Sequence, residues 1–471
     1  MHIARPSRVP SRNLTASRRS RGVFVAAVLL LFLLLPTRVS AQRSLSLQTH
    51  TVIDTAGGAP TLQTADRRTM VRLIQFIDAS SEDVGVEGLS IELSGRLVGQ
   101  LASAPLSDGL EARERFDGDV LVGLLRWRDR RRRISLALGR QYLFFGAGRV
   151  EHLDGLSVLY RTPWNIDVSV FGGLTRPWQL DVDVDEPGPD GDPFVFYNWA
   201  VGGRLRWRVL DHGYVAAGFL HEGHSDETVR QLLTAQAGYI GWGVVDAAAG
   251  ATIDLIDKLP QEIWVNVGAA LLPRLRVSGD FSYQVPSATI PKTSIFSVFS
   301  SDAYHSISGS VLYGFGRHVR AGVDGAARVY VGDGEAEARV GYDVGASVTV
   351  MPTSRASNMI ALRVQLVDAG DQWSINNRLY SRWRLPFGLH VHADVWLLVL
   401  GGQREGAEAT DFERRAADHP LSVGGRLLAS YRFTRSLSAH VGGSLFVSPL
   451  AKHDLRVLSG LTYSKRWGWG I

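Results

Sequence analysis

The sequence predicts an all-β chain: a single transmembrane antiparallel up-and-down β-barrel of about 22 strands, within a range of roughly 18–22. Three observations predict it. Alternation of period two recurs through most of the chain, whereas a period of 3.6 is hard to find. The alternating segments are close to the roughly 9–11 residues that cross a bilayer as a tilted strand. The connections between them alternate between short and long, as expected for short periplasmic turns and longer external loops.

The first element is not a strand. Residues 1–22 carry Arg5, Arg8, Arg12, Arg18, Arg19 and Arg21 with no acid, and residues 23–35 read VFVAAVLLLFLLL. Pro36 and VSAQ at 39–42 follow. A basic region, a short apolar core and a small-residue site form a secretory signal, expected to be cut after Ala41. The apolar run is too short to span a bilayer comfortably as a helix. The expected division is a signal at 1–41 and one barrel at 42–471, with no linker. Residues 1–41 hold seven arginines, counting Arg38, so removing them takes the formal charge from +5 to −2. The basic balance is then partly a property of the export segment and does not argue for nucleic-acid binding. The chain has no cysteine, which excludes disulfides, thiolate metal sites and cysteine nucleophiles.

The strands follow. In GGRLRWRVLDHGYVAAGFL, residues 202–220, Arg204, Arg206 and Arg208 alternate with Leu205, Trp207 and Val209 before a sharp turn. Side chains on a strand alternate between faces, so one face is basic and the other apolar. The same two-faced pattern recurs at 274–284, 319–331, 337–350, 421–433, 437–447 and 455–463. Weaker strands lie near 44–53 and 67–78. Tight connections fall near 129–132, 162–165, 210–213, 240–243, 272–274, 314–318, 386–388 and 433–436. Long polar ones fall near 102–117, 175–194, 286–302 and 402–420, at the opposite ends of the strands. Trp127, Trp207, Trp383 and Trp467 sit on apolar faces beside the tight turns, where an aromatic girdle belongs.

An apolar last strand ending in Tyr463, Trp467, Trp469 and Ile471 resembles the C-terminal strand of bacterial outer-membrane proteins, which usually finish in phenylalanine. The stretch LGRQYLFFGAGRVEHLDGLSVLY at 138–160 is similar to a Gly-Arg-Gln…Asp-Gly pattern of substrate-selective porins and alginate-export-like barrels. The resemblance to Gram-negative porin-type barrels implies an outer-membrane location reached through the Sec pathway. It also implies barrel-assembly machinery, outer-membrane lipid and lipopolysaccharide as partners, small solutes as cargo, no nucleic acid, no cofactor and no enzymatic activity.

Arginine on the lipid face near the midplane would cost roughly 2–4 kcal/mol, so the arginine faces belong to the lumen. The candidate lining residues are Arg126, Arg128, Arg133, Arg204, Arg206, Arg208, Arg276, Arg320, Arg378, Arg382, Arg384 and Arg432, with Arg161 close to the same turns. A field of fixed positive charge there concentrates anions. Pairing with Asp167, Asp246, Asp280 or Asp324 would instead neutralise it. His390, His392 and Asp394 share one inward face and are candidate metal ligands. DVDVDEPGPDGDP at 181–193 is rich in carboxylates but lacks EF-hand spacing. Ser438, His440 and Ser444 share a face without a carboxylate that would complete a triad.

The leading expectation is a passive channel for small hydrophilic anions. The alternatives are a barrel-based outer-membrane enzyme of phospholipase type and a plugged structural or assembly barrel. A plugged TonB-dependent transporter is disfavoured, because only about 25 residues precede the first confident strand. Without a plug, a barrel of about 22 strands leaves a wide hole, so either the count is nearer 18 or loops fold inward, with 175–194, 286–302 and 402–420 long enough to do so.

Overall fold

A computed structural model describes residues 43–60, 68–84, 86–103, 116–146, 149–175, 198–209, 211–224, 227–241, 243–285, 303–331, 339–352, 358–368, 373–402, 419–448 and 451–469. The expected signal at 1–41 and the carboxylate-rich segment 181–193 lie outside them. The first strands are β1 (Arg43–Pro60), β2 (Arg68–Glu82), β3 (Leu89–Ser103), β4 (Phe116–Arg128), β5 (Ile134–Gly146), β6 (Arg149–Arg161) and β7 (Ile166–Thr175). There follow β8 (Trp199–Val209), β9 (Gly213–His224), β10 (Glu227–Gly241), β11 (Val245–Asp254), β12 (Leu259–Leu272), β13 (Leu275–Gln284) and β14 (Tyr304–Phe315). The circuit is completed by β15 (Val319–Tyr330), β16 (Arg339–Val350), β17 (Met359–Asp368), β18 (Trp373–Arg384), β19 (Leu389–Gly401), β20 (Leu421–Arg432), β21 (Leu437–Ser448) and β22 (Ala451–Trp469).

Each strand pairs antiparallel with the next, and β22 pairs back onto β1 from Arg43↔Trp469 to Pro60↔Ala451. The 22-stranded sheet is therefore closed and leaves no free edge at its seam. The two weak segments near 44–53 and 67–78 are full strands, and they make the closure. Every expected tight turn lies at one end, as do Arg43 and Trp469. The long connections lie at the other, and most of their residues are outside the described set.

The alternation sorts the two faces. Leu205 and Trp207 on β8, Val323 on β15, Val344 on β16 and Leu427 on β20 are 47–60% exposed. A band of such side chains around the whole barrel is stable only against lipid. Trp127, Tyr160, Trp207, Tyr239, Tyr313, Trp383 and Trp467 ring the short-turn end of this face, and Trp199, Tyr283, Tyr342 and Trp373 ring the other. The opposite face, carrying serine, glycine, aspartate and arginine, is the lumen.

One hairpin departs from the wall. β5 pairs with β4 only from Ser135↔Arg128 to Arg140↔Gly123, and β6 pairs with β7 only from Leu153 to Arg161. Between themselves β5 and β6 stay paired up to Gly146↔Arg149. Past Arg140 and Leu153 the hairpin leaves the sheet and reaches β8, β9 and β10. It turns inward, because Leu153 packs with Ala200, Leu220 and Leu232, and Leu143 and Phe171 flank them. Ala200, Leu220 and Leu232 alternate with the lipid-facing Val201, Phe219 and Leu233, so they belong to the lumenal face. The distances agree. Seven residues of strand span about 23 Å, and four strand spacings from β5 to β9 make about 19 Å.

Glycines make the bend. Gly139, Gly155 and Gly173 occupy one rung across β5, β6 and β7. Gly139 has φ +122°, where an L side chain is strained, and a Cβ there would fall onto the Gly123 carbonyl oxygen. At Gly155 a Cβ would meet the Gly172 carbonyl, and at Gly173 the Asp154 carbonyl.

Candidate functional site

The lumen carries the candidate site, and the folded hairpin shapes it. When β5 leaves the wall, β4 loses a neighbour, and side chains take its place. Arg140 Nη1 donates to the Val120 carbonyl at 2.6 Å, and His152 Nε2 donates to the Leu121 carbonyl at 2.9 Å. Arg140 also forks onto Asp154, with Nε–Oδ1 at 2.7 Å and Nη2–Oδ2 at 2.9 Å. Gln141 Nε2 donates to the Gly155 carbonyl at 3.2 Å, and Ser157 Oγ donates to Gln141 Oε1 at 2.8 Å. The Gly-Arg-Gln…Asp-Gly pattern is thus the machinery of the bend.

A second set of contacts latches the hairpin across the lumen. Arg230 Nη2 on β10 lies 2.8 Å from Glu151 on β6 and 2.8 Å from Glu222 on β9. Glu222 also accepts from Asn198 Nδ2 at 2.9 Å and from Thr175 Oγ1 at 3.3 Å. Sequence reasoning did not single out these residues. The signal was present in apolar side chains on a lumenal face, Ala200, Leu220 and Leu232, which an empty pore would leave against water.

The expected lining residues are distributed as follows. Arg204, Arg206 and Arg208 stand on the inner face of β8. Arg204 Nη2 donates to Gln236 Oε1 at 3.0 Å, the Arg206 guanidinium lies 4.6 Å above the Tyr214 ring, and Arg208 pairs with Asp167 at 3.2 Å. Arg126 pairs with Glu92 at 2.7 Å and Arg276 with Asp246 at 3.1 Å. Arg320 shares the inner face of β15 with Asp324, but Asp324 is taken by Arg363 at 2.6 Å. Arg432 turns back onto the carbonyls of Thr434 and Arg435, at 3.1 and 2.6 Å, and so closes the β20–β21 turn. Arg133 lies in the β4–β5 turn rather than in a strand. Arg378, Arg382 and Arg384 line up on β18, where Arg382 stands beside His392 and Arg384 beside His390. Asp280 accepts from Asn266 Nδ2 at 2.6 Å rather than from an arginine.

Of the metal candidates, Asp394 spends both oxygens on Arg378, at 2.9 and 2.6 Å. His392 Nδ1 lies 3.1 Å from the Tyr380 hydroxyl. Among the described residues no group of three His, Cys, Asp or Glu is placed to hold a metal ion. His440 stacks on His50 with ring centroids 5.2 Å apart.

Beneath the hairpin, toward the short-turn end, lies a half-enclosed chamber of about 480 Å³ lined by Arg126, Arg128, Arg132 and Arg161 together with hairpin side chains. The β4–β5 turn supports it. Asp129 accepts from the backbone N–H of Ile134 at 2.8 Å and of Arg131 at 3.2 Å. The Ile134 bond is the main reason its carboxyl is held below the usual carboxylate range. The three loops expected to narrow the pore lie almost wholly outside the described residues.

No protein-family model matches the chain, and no curated protein is similar to it in sequence. Solved structures resemble it in fold. The ferric enterobactin receptor PfeA from Pseudomonas aeruginosa aligns over 88% of this chain and 80% of its own, with a TM-score of 0.53 at 11% identity. A BenF-like porin from Pseudomonas fluorescens aligns over 91% and 99%, with a TM-score of 0.42 at 9% identity. OccAB4 from Acinetobacter baumannii aligns over 92% and 100%, with a TM-score of 0.41 at 9% identity. The chain has the fold of an outer-membrane barrel, 22 antiparallel strands closed on themselves, with a lumen narrowed by one of its own hairpins.

Proposed function

We propose that the chain is a porin-like channel of the Gram-negative outer membrane. It is exported through the Sec pathway, loses residues 1–41, and passes small hydrophilic anions by passive diffusion. What supports this reading is that Arg204 and Arg206, close to the β8–β9 turn, have no carboxylate partner among the described residues. Arg204 is held by an amide and Arg206 by a phenol ring, so two of the three β8 charges keep their field. Guanidinium stays charged at any workable pH and offers paired donors to oxyanions. Fixed charges act over about 8–10 Å at physiological ionic strength, so local placement outweighs a net charge of −2 for the expected mature chain.

The test is the reversal potential of the reconstituted protein across a KCl gradient. The wild type should prefer chloride, and Arg204→Ser, Arg206→Ser and Arg208→Ser made together should reduce that preference. A wild type that prefers potassium, or a triple variant with unchanged selectivity, would overturn the proposal.

A further inference from the structure

We infer that the chamber beneath the folded hairpin binds an organic phosphate: a phosphate monoester whose ester group is apolar. The inference rests on the reading of the barrel as an anion channel and names the solute class of one place within it.

The chamber is of the size that holds small organic ligands, about 300–1,000 Å³. Its chemistry is divided. Toward the short turns it presents Arg126, Arg128, Arg132 and Arg161, and toward the hairpin it presents Phe144 and Phe171. Glu92 neutralises Arg126. Arg128, Arg132 and Arg161 line the same space beside it. Among the described residues no carboxylate pairs with Arg128, Arg132 or Arg161. Arg161 Nη1 instead donates to the Arg132 carbonyl at 3.4 Å, which ties the two positions together. Three guanidinia therefore line one end of a partly enclosed space with no carboxylate paired to them among the described residues. Their mutual repulsion is relieved by a ligand that brings more than one negative charge. A carboxylate brings one. A phosphate monoester brings about 1.5–2 at neutral pH and three acceptor oxygens, which suit forked donors.

The other end selects the ester group. Phe144 is 72% exposed although it belongs to a hairpin folded into the lumen. An aromatic face left uncovered in the same chamber as a cationic cluster suits a flat apolar group stacked on the ring. Inorganic phosphate would satisfy the arginines and leave Phe144 against water.

The test uses the full chain in planar bilayers and three blockers: phenyl phosphate, inorganic phosphate and benzoate. Phenyl phosphate is expected to interrupt the current at a concentration about tenfold below either of the others. Arg128→Ser with Arg161→Ser should raise its half-blocking concentration by about tenfold or more. Phe144→Ser should weaken phenyl phosphate while leaving inorganic phosphate unchanged. A potassium-preferring wild type would remove the underlying reading as an anion channel. A chloride-preferring wild type that the three probes block alike, or whose block by phenyl phosphate survives the double arginine change, would overturn this site alone. Heat-modifiable gel migration reports whether each variant has formed its barrel. If a variant fails there, the comparison of the three probes on the wild type decides.

Discussion

The two sides of the lumen obey the same alternation and end differently. On the β13–β15 side the inner face is small and polar. Ser278 and Ser310 bond each other at 2.7 Å, Ser308 reaches Asp280 at 3.4 Å, and Asp324 holds Arg363. Such a wall is satisfied by water and by itself. On the β6–β10 side the inner face carries Leu153, Ala200, Leu220 and Leu232, and the folded hairpin dries them to 0–1% exposure. An inner face that is apolar must be covered, and here the cover is a hairpin of the barrel itself.

The largest way to break this difference is to block the bend. Gly139→Val puts a β-branched side chain at φ +122° and against the Gly123 carbonyl. The hairpin should then fail to fold in, and single-channel conductance should roughly double as the lumen widens. Unchanged conductance in a variant that still shows heat-modifiable migration would mean that the hairpin does not narrow the pore.

Arg230→Met comes next. It leaves Glu151 and Glu222 buried without their shared cation, which costs about 3–5 kcal/mol. The barrel wall should survive, while the open-channel current becomes noisy as the hairpin undocks. A quiet current would count against the latch. Ser308→Ala on the open wall is the contrasting change. It should alter stability by no more than about 0.5 kcal/mol and leave the current as it was, read by denaturant unfolding and conductance. The smallest expected effect is one of pH. The Asp129 carboxyl titrates below its unfolded value, so its contribution is present above about pH 3.9 and is lost as pH falls through the lower folded value. Asp129→Asn should therefore weaken the turn at neutral pH and converge with wild type in strong acid, measured by protease cleavage at Arg130–Arg133. Equal cleavage at neutral pH would remove the role of Asp129.

The barrel was legible because alternation and loop parity are local patterns repeated around a closed sheet. Leu205, Trp207 and Val323 each declare their face from their neighbours alone. The expected lumenal placement of Arg204, Arg206 and Arg208 rests on the same parity. The folded hairpin was not legible in that way. β5 and β6 keep their mutual pairing through the bend, so the strands do not end there; the local mark of the departure is Arg140 and Asp154 at the parity of the lipid-facing Leu138 and Leu156. The glycines at 139, 155 and 173 become one line only once the strands are in register. The latch joins Glu151 to Arg230, 79 positions apart, and no local pattern connects them. The long connections expected to narrow the pore fall almost wholly outside the described residues; the element found inside the lumen is the β5–β6 strand pair.

The bend also has a mechanical meaning. Beyond Arg140 and Leu153 the hairpin's ladder is internal to it, and its ties to the rest of the barrel are side-chain contacts. Swinging it would break the Arg230–Glu151 ion pair, the Arg140 and His152 bonds to β4, and a small apolar patch, and would unzip no pairing of the wall. The diameter of the passage and the integrity of the cylinder are therefore set by separate interactions, so each can change in strength while the other holds.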